Sequence, residues 1–320
     1  MGTLVGDRYA LGAKLDEGPL GPRWKARARG ATGYERAVIV EGLRPELATD
    51  ATFVDTLVEQ SAKLMDGPHP RVEGVYDVVR EDDAVHRVVD PVDGPTLKAW
   101  VAACQSGGQP APYALLLSIV SDVSFGLHAL HGRAEPMAHG ALDTTSIQLD
   151  RSGVPFVTRF GVAAACEAAG IDDPALRARP PEGLDPVQAD VFGLGQLMYT
   201  VLAGSSDTTL LPDDLRARLM EGKPVDLKLI RDDIPPVVLG IVERALVRDP
   251  AHRYDSTLAL ARAIELFLQS RPETTDAAAR AHQIDQVLPK RARRAPKGLV
   301  AAETDQLDLA DLQRLSISDD

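Results

Sequence analysis

Between Asp190 and Ala203 the chain is apolar on nearly every face, so a helix formed there must lie inside the protein with other elements packed all round it. Only a helical unit with a large core supplies such surroundings, and the flanking sequence offers its partners. Leu115 to Leu130 reads as a long, mostly apolar helix, and Val237 to Val247 and Thr257 to Leu268 read as amphipathic ones, the last preceded by Ser256 as its N-cap. The first hundred residues follow another rule. Val38-Ile39-Val40, Val75-Tyr76-Asp77-Val78-Val79 and His86-Arg87-Val88-Val89 carry the β-branched and aromatic residues that suit a pleated sheet. Between the first two, Phe53, Leu57, Val58, Ser61 and Leu64 recur at helical spacing. A small sheet with one helix, a Gly94-Pro95 crossing and a mainly helical remainder make an α+β chain of two lobes, in which Ile147-Gln148-Leu149 and Pro155-Phe156-Val157 are short strands around a turn.

With 320 residues, 44% of them hydrophobic, the chain can bury one large two-lobed core. The expected unit runs over 8–270, with lobes 8–93 and 94–270, and 271–320 form an extension. In that extension Ala277 to Leu288 reads as one more helix and Lys290 to Arg294 is basic. Glu303 to Asp320 is acidic, with Leu309, Leu312 and Leu315 three apart, and a partly ordered tail is expected because such segments hold too little apolar surface to offset ordering entropy. The net charge of −12, spread along the rest of the chain, disfavours a nucleic-acid binder, so protein partners are expected, reached through the helical lobe or the tail. Cys104 and Cys166 are too few for a disulfide framework or a four-ligand zinc site, which suits a reducing cytoplasm. No stretch approaches the roughly 20 apolar residues of a membrane span, and none is expected.

Several local motifs stand in a fixed order. Gly6-Asp7-Arg8-Tyr9 opens the chain, followed by Lys14-Leu15-Asp16-Glu17-Gly18-Pro19-Leu20-Gly21-Pro22-Arg23. Leu43-Arg44-Pro45-Glu46, His69-Pro70 and Val92-Asp93-Gly94-Pro95-Thr96-Leu97 come next, then Pro181-Glu182, Asp190-Val191-Phe192-Gly193 and Arg248-Asp249-Pro250-Ala251-His252-Arg253. Over about residues 5 to 270 this order resembles the bacterial Hanks-type Ser/Thr protein kinases, and the resemblance implies a two-lobed kinase-like fold.

The resemblance also implies roles, and several positions depart from them. The family's glycine loop closes its backbone over phosphates; here Asp16 and Pro19 replace two of its positions. Glu41 stands where the third strand should carry lysine, and Gln60 where the helix should carry its glutamate partner. Ala141 stands at the catalytic base, Ser146 at the asparagine that holds magnesium and Arg159 at the metal-binding aspartate. Arg23, Ile39 and Gln148 replace the apolar lining of the adenine pocket, so that pocket is expected to be filled or wrongly polar, while the hinge at Asp90-Pro91-Val92 can still present a carbonyl and an N–H. Glu41 and Arg159 are expected to pair and close the cleft. Between Gly161 and Pro180 there is no Ser or Thr to phosphorylate, and Gly140 replaces the arginine that would receive such a phosphate.

The matching architectural residues are Glu182 and Arg253 as a buried ion pair, Asp190 holding the catalytic-loop backbone, and His139, Phe160, Leu64 and Val75 as a hydrophobic spine between the lobes. Lys25 as a substitute for the lost lysine, Asp143 as a substitute base and His139 as a general base are weaker alternatives to surface, local and structural roles. The expectation is a pseudokinase with no catalytic residue, metal or cofactor, not an enzyme, serving as a scaffold or allosteric module in bacterial signalling. A nucleotide-responsive switch and a divergent kinase-fold transferase are the alternatives.

Overall fold

Why β4 (Glu35–Gly42) is buried through Val38, Ile39, Val40 and Glu41 follows from its place inside a sheet covered on both faces. The computed structural model describes residues 3–30, 35–81, 84–173, 175–176 and 185–288. Its first lobe joins β1 (Leu4–Val5), β2 (Tyr9–Glu17), β3 (Pro22–Arg29), β4, β5 (Val75–Glu81) and β6 (Ala84–Val89) in the antiparallel order β1-β2-β3-β4-β6-β5. Val38 and Val40 pack with Val5, Tyr9, Ala26 and Val88 on one face, whereas Ile39 and Val89 join Leu64, Val75 and Phe160 on the face toward the second lobe. Strand alternation therefore points Glu41 and Arg87 to that inner face too.

Between β4 and β5 lie α1 (Pro45–Ala48) and α2 (Ala51–Asp66). The Asp50 side chain accepts from the Phe53 N–H and starts α2 two residues before its first apolar position, which then buries Phe53, Val54, Leu57, Ser61 and Leu64.

The second lobe begins with α3 (Leu97–Ser106), capped by Thr96, and α4 (Tyr113–His131). A hairpin of β7 (Ile147–Leu149) and β8 (Pro155–Val157) follows, then α5 (Val162–Ala168), α6 (Pro186–Leu202), α7 (Asp213–Met220), α8 (Pro236–Leu246), α9 (Thr257–Gln269) and α10 (Ala277–Val287). From Gln188 to Leu202 every residue of α6 is buried, as its apolar faces require. Against the expectation that no stretch approaches a membrane span, α4 is long and apolar enough to cross one by length and composition, but about two thirds of it is buried inside the protein, where the helix packs on α9 and α6. Glu182, Lys290 to Arg294 and the leucines from Leu309 onward lie outside the described residues.

The crossing between lobes is closely fitted. A Cβ on Gly94 would sit 2.0 Å from the Leu149 carbonyl oxygen, so only glycine lets the hinge backbone lie against β7 there. The Leu149 N–H donates to the Pro95 carbonyl at 2.9 Å beside it, which brings Gln148 up to the hinge.

Candidate functional site

An open cavity of about 890 Å³ lies between the sheet and the helical lobe, walled by Asp16, Arg23 and Glu41 above and by Lys98, Gln148 and Arg159 below. The expectation of a filled pocket is corrected by this space: Ile39 turns into the core instead of the cavity, and the polar side chains at the other two lining positions are tied back to the walls.

The roof is an ionic chain laid across three strands. Arg23, Glu41 and Arg87 are register partners on β3, β4 and β6, so their side chains lie side by side on the inner face. Glu41 meets Arg23 Nε at 3.1 Å and Arg87 at 3.0 Å; Arg87, with no exposed side-chain surface, also reaches Glu73 at 3.1 Å. Burial works against the charge of Arg23, yet the carboxylates of Glu41, Asp16 and Glu73 outweigh it and raise its pKa. Glu41 is thus paired within its own sheet and not with Arg159, which corrects the expected bridge across the cleft. Arg159, one of two non-glycine residues with positive φ among those described, turns its guanidinium onto Asp143 at 2.9 Å and the Thr145 hydroxyl at 2.7 Å.

Glu73 is enclosed at 4% exposure, and that burial pushes its carboxyl pKa up; Arg87 opposes the shift and Glu41 adds to it. A raised carboxyl pKa means that the folded form binds this proton more tightly than the unfolded chain does. The contribution of Glu73 to stability must then fall as pH rises from its ordinary value of 4.5 toward the folded-state value. Urea midpoints measured across that range should decline less steeply in Glu73→Gln than in the parent; identical slopes would remove Glu73 from the network's pH dependence.

The loop at the mouth is closed on itself. Gly18 N–H donates to the Gly21 carbonyl at 2.8 Å and Gly21 N–H to the Gly18 carbonyl at 3.1 Å, while Pro19 and Pro22 have no N–H to give. At the hinge, the Gln148 amide donates to the Val92 carbonyl at 2.8 Å and the Gly94 carbonyl at 2.9 Å, and the Asp90 N–H is spent on the Gly74 carbonyl. Of the hinge groups, the Val92 carbonyl and the Asp90 N–H are therefore already engaged. Gln60 packs against Gly161, where a Cβ would come within 2.6 Å of the Gln60 Cβ. Ser146 is fully buried and its hydroxyl bonds to Asp143 N–H and O, within the turn that Asp143 caps, and Ala141 offers no polar side-chain atom. Lys25 is exposed on β3. Among the described residues no group of three or more His, Cys, Asp or Glu is arranged to hold a metal. A magnesium-bound triphosphate does not fit these residues, since its anionic charge would face Glu41 and Asp16 and find the loop amides at Gly18 and Gly21 spent.

Beneath the cavity Asp190 organises the loop. Buried at 1% exposure, it accepts from the backbone N–H groups of His139 and Gly140, both at 2.8 Å, and contacts His131 Nε2 at 2.9 Å. His139 Nε2 lies 2.9 Å from the Thr158 carbonyl while its Nδ1 accepts from Ala141 N–H, an arrangement that needs a neutral ring with the proton on Nε2. Burial lowers its pKa in agreement, and its ring meets Phe160 edge-on at 5.1 Å, in the core shared with Leu64 and Val75. Arg253, at 2% exposure, donates to the carbonyls of Val247, Arg248 and Gln188. The Glu182 partner expected for it is outside the described residues.

Two participants, Glu73 and Arg87, escape a reading of the sequence. The signal available was a charged residue at the inward position of a valine-rich strand, since Arg87 shares its face with Val89.

No protein-family model matches the sequence. The chain is 30% identical over 220 residues to the serine/threonine-protein kinase PkaA of Streptomyces coelicolor, covering 62% of this chain and 39% of that one. It is 24% identical over 237 residues to the serine/threonine-protein kinase PrkC of Bacillus subtilis, covering 69% and 35%. The match thus spans little more than a third of the length of these curated relatives. A double mutant of the PknI kinase domain of Mycobacterium tuberculosis superposes with a TM-score of 0.65 at 20% identity, over 83% of this chain and 98% of that domain, and the fold is that of a protein kinase. The expectation that the chain is not an enzyme is overturned by these relatives, which are kinases by name.

Proposed function

For a chain that belongs to the bacterial Hanks-type Ser/Thr kinase family, we propose a role as an allosteric or scaffolding module in cytoplasmic signalling, with the interlobe cavity as a ligand site that grips without magnesium. The observation that carries this reading is the paired state of Glu41: the position aligned with the family's phosphate-gripping lysine is an anion already held by Arg23 and Arg87. Among molecules related to the family's substrate, one without phosphates suits the roof best. The open 890 Å³ favours a nucleotide-responsive switch as the second reading.

Thermal unfolding of the full chain with adenosine, with ATP and with ATP plus magnesium separates these. Ligand held by the folded state raises Tm by linkage, and the proposal expects any rise with ATP to be the same with and without magnesium and no larger than that with adenosine. A rise that requires magnesium would contradict it. Incubation with labelled ATP in the same series assigns any transferred group, and label on the chain or on a peptide favours the divergent-transferase reading.

A further inference from the structure

Helix α10 touches the outer sides of elements whose inner sides face the cavity. On α3, Lys98, Ala99, Ala102 and Gln105 line the cavity, while Trp100 and Cys104 on the opposite face bond to Gln283 of α10, the cysteine contact at 3.4 Å. On the β7–β8 hairpin, Gln148 lines the cavity and holds the hinge, while the turn that follows receives α10: a Cβ on Gly153 would lie 2.0 Å from the Ala277 carbonyl, and Arg151 donates to the Leu288 carbonyl at 3.3 Å.

The seat of α10 is specific. Arg280, at 5% exposure, pairs with Asp122 of α4 at 2.7 Å and approaches the Ser118 hydroxyl at 3.3 Å; Ile284, at 1%, enters the core of the helical lobe. These contacts lie one helical turn apart and set the register of α10 on α4.

We propose that α10 is a built-in control element: docked, it fixes the position of α3 and of the β7–β8 hairpin from behind, so that loosening the dock loosens two walls of the cavity. The coupling is physical, because the ten-residue α3 presents one face to α10 and the other to the cavity, and the turn seated on α10 continues directly from β7, whose Gln148 lines the cavity. It stands whether or not the cavity takes a nucleoside.

Hydrogen exchange on the full chain tests it, with Gln283→Ala as a mild variant that leaves the core intact and Arg280→Met as a stronger one. The inference expects amides in 97–106 and 147–149 to exchange roughly tenfold faster or more in Arg280→Met, less so in Gln283→Ala, with β2 to β4 unchanged and Arg280→Lys nearer the parent. Acceleration confined to 277–287 would overturn it, because α10 could then leave without loosening either wall. Equal acceleration throughout, β2 to β4 included, would overturn it as well, making α10 a general stabiliser.

Discussion

Arg87→Met is expected to lower the free energy of unfolding by about 3–5 kcal/mol, the range for removing one member of a buried ion pair. The size follows from what remains. Arg87 is fully enclosed and bonds to both Glu41 and Glu73, so methionine fills the space but leaves two carboxylates in a low-dielectric interior with only Arg23 nearby. For a domain whose whole stability is about 5–15 kcal/mol, that loss is a large fraction. Urea unfolding measures it directly, as a shifted midpoint with an unchanged slope. Replacing all three charges by apolar residues of similar volume should recover most of it, since complete removal of a buried ionic group is often neutral or stabilising.

Asp190→Ala ranks beside it, at roughly 3–5 kcal/mol, because each buried N–H left without an acceptor costs on the order of 1–3 kcal/mol and this carboxylate serves two of them and the His131 ring. Asp190→Asn keeps one acceptor oxygen and should lose less. Hydrogen exchange at residues 139–141 provides the local readout. A loss below about 1 kcal/mol in the alanine variant, within the range of an ordinary surface change, would show that the loop holds its shape without this anchor.

The division into a sheet lobe and a helical lobe was legible because period two and period 3.6 alternate cleanly along the chain, and α6 could be placed as central from its apolar faces alone. Less legible were the short helices. The helix Leu97–Ser106 follows directly on the Gly94-Pro95 crossing and carries no long apolar run to announce it, although Thr96 caps it and Leu97, Trp100, Val101 and Cys104 are spaced for one buried face. The seven-residue α5 has an alanine-rich sequence with no side-chain cap, so its stability comes from packing on α2. Of the cleft, the unusual charges at Glu41 and Arg159 could be seen, but their partners could not. Pairing depends on register: Glu41 meets Arg87, 46 residues away, because β4 and β6 run side by side, and Arg159 meets Asp143 because its backbone turns through positive φ. Opposite signs in one cleft suggested attraction between Glu41 and Arg159; the nearer guanidinium groups on neighbouring strands won.

What the cavity can hold depends on Glu41 being held by its neighbours and not left to meet a ligand's charge. A double-mutant cycle of Glu41→Gln and Arg87→Met in urea unfolding measures that hold. We expect the two changes to be strongly non-additive, with a coupling of about 1–3 kcal/mol, as for residues sharing one buried network. Effects that add within about 0.5 kcal/mol, as for independent sites, would contradict the account, because Arg87 would then contribute nothing to holding Glu41.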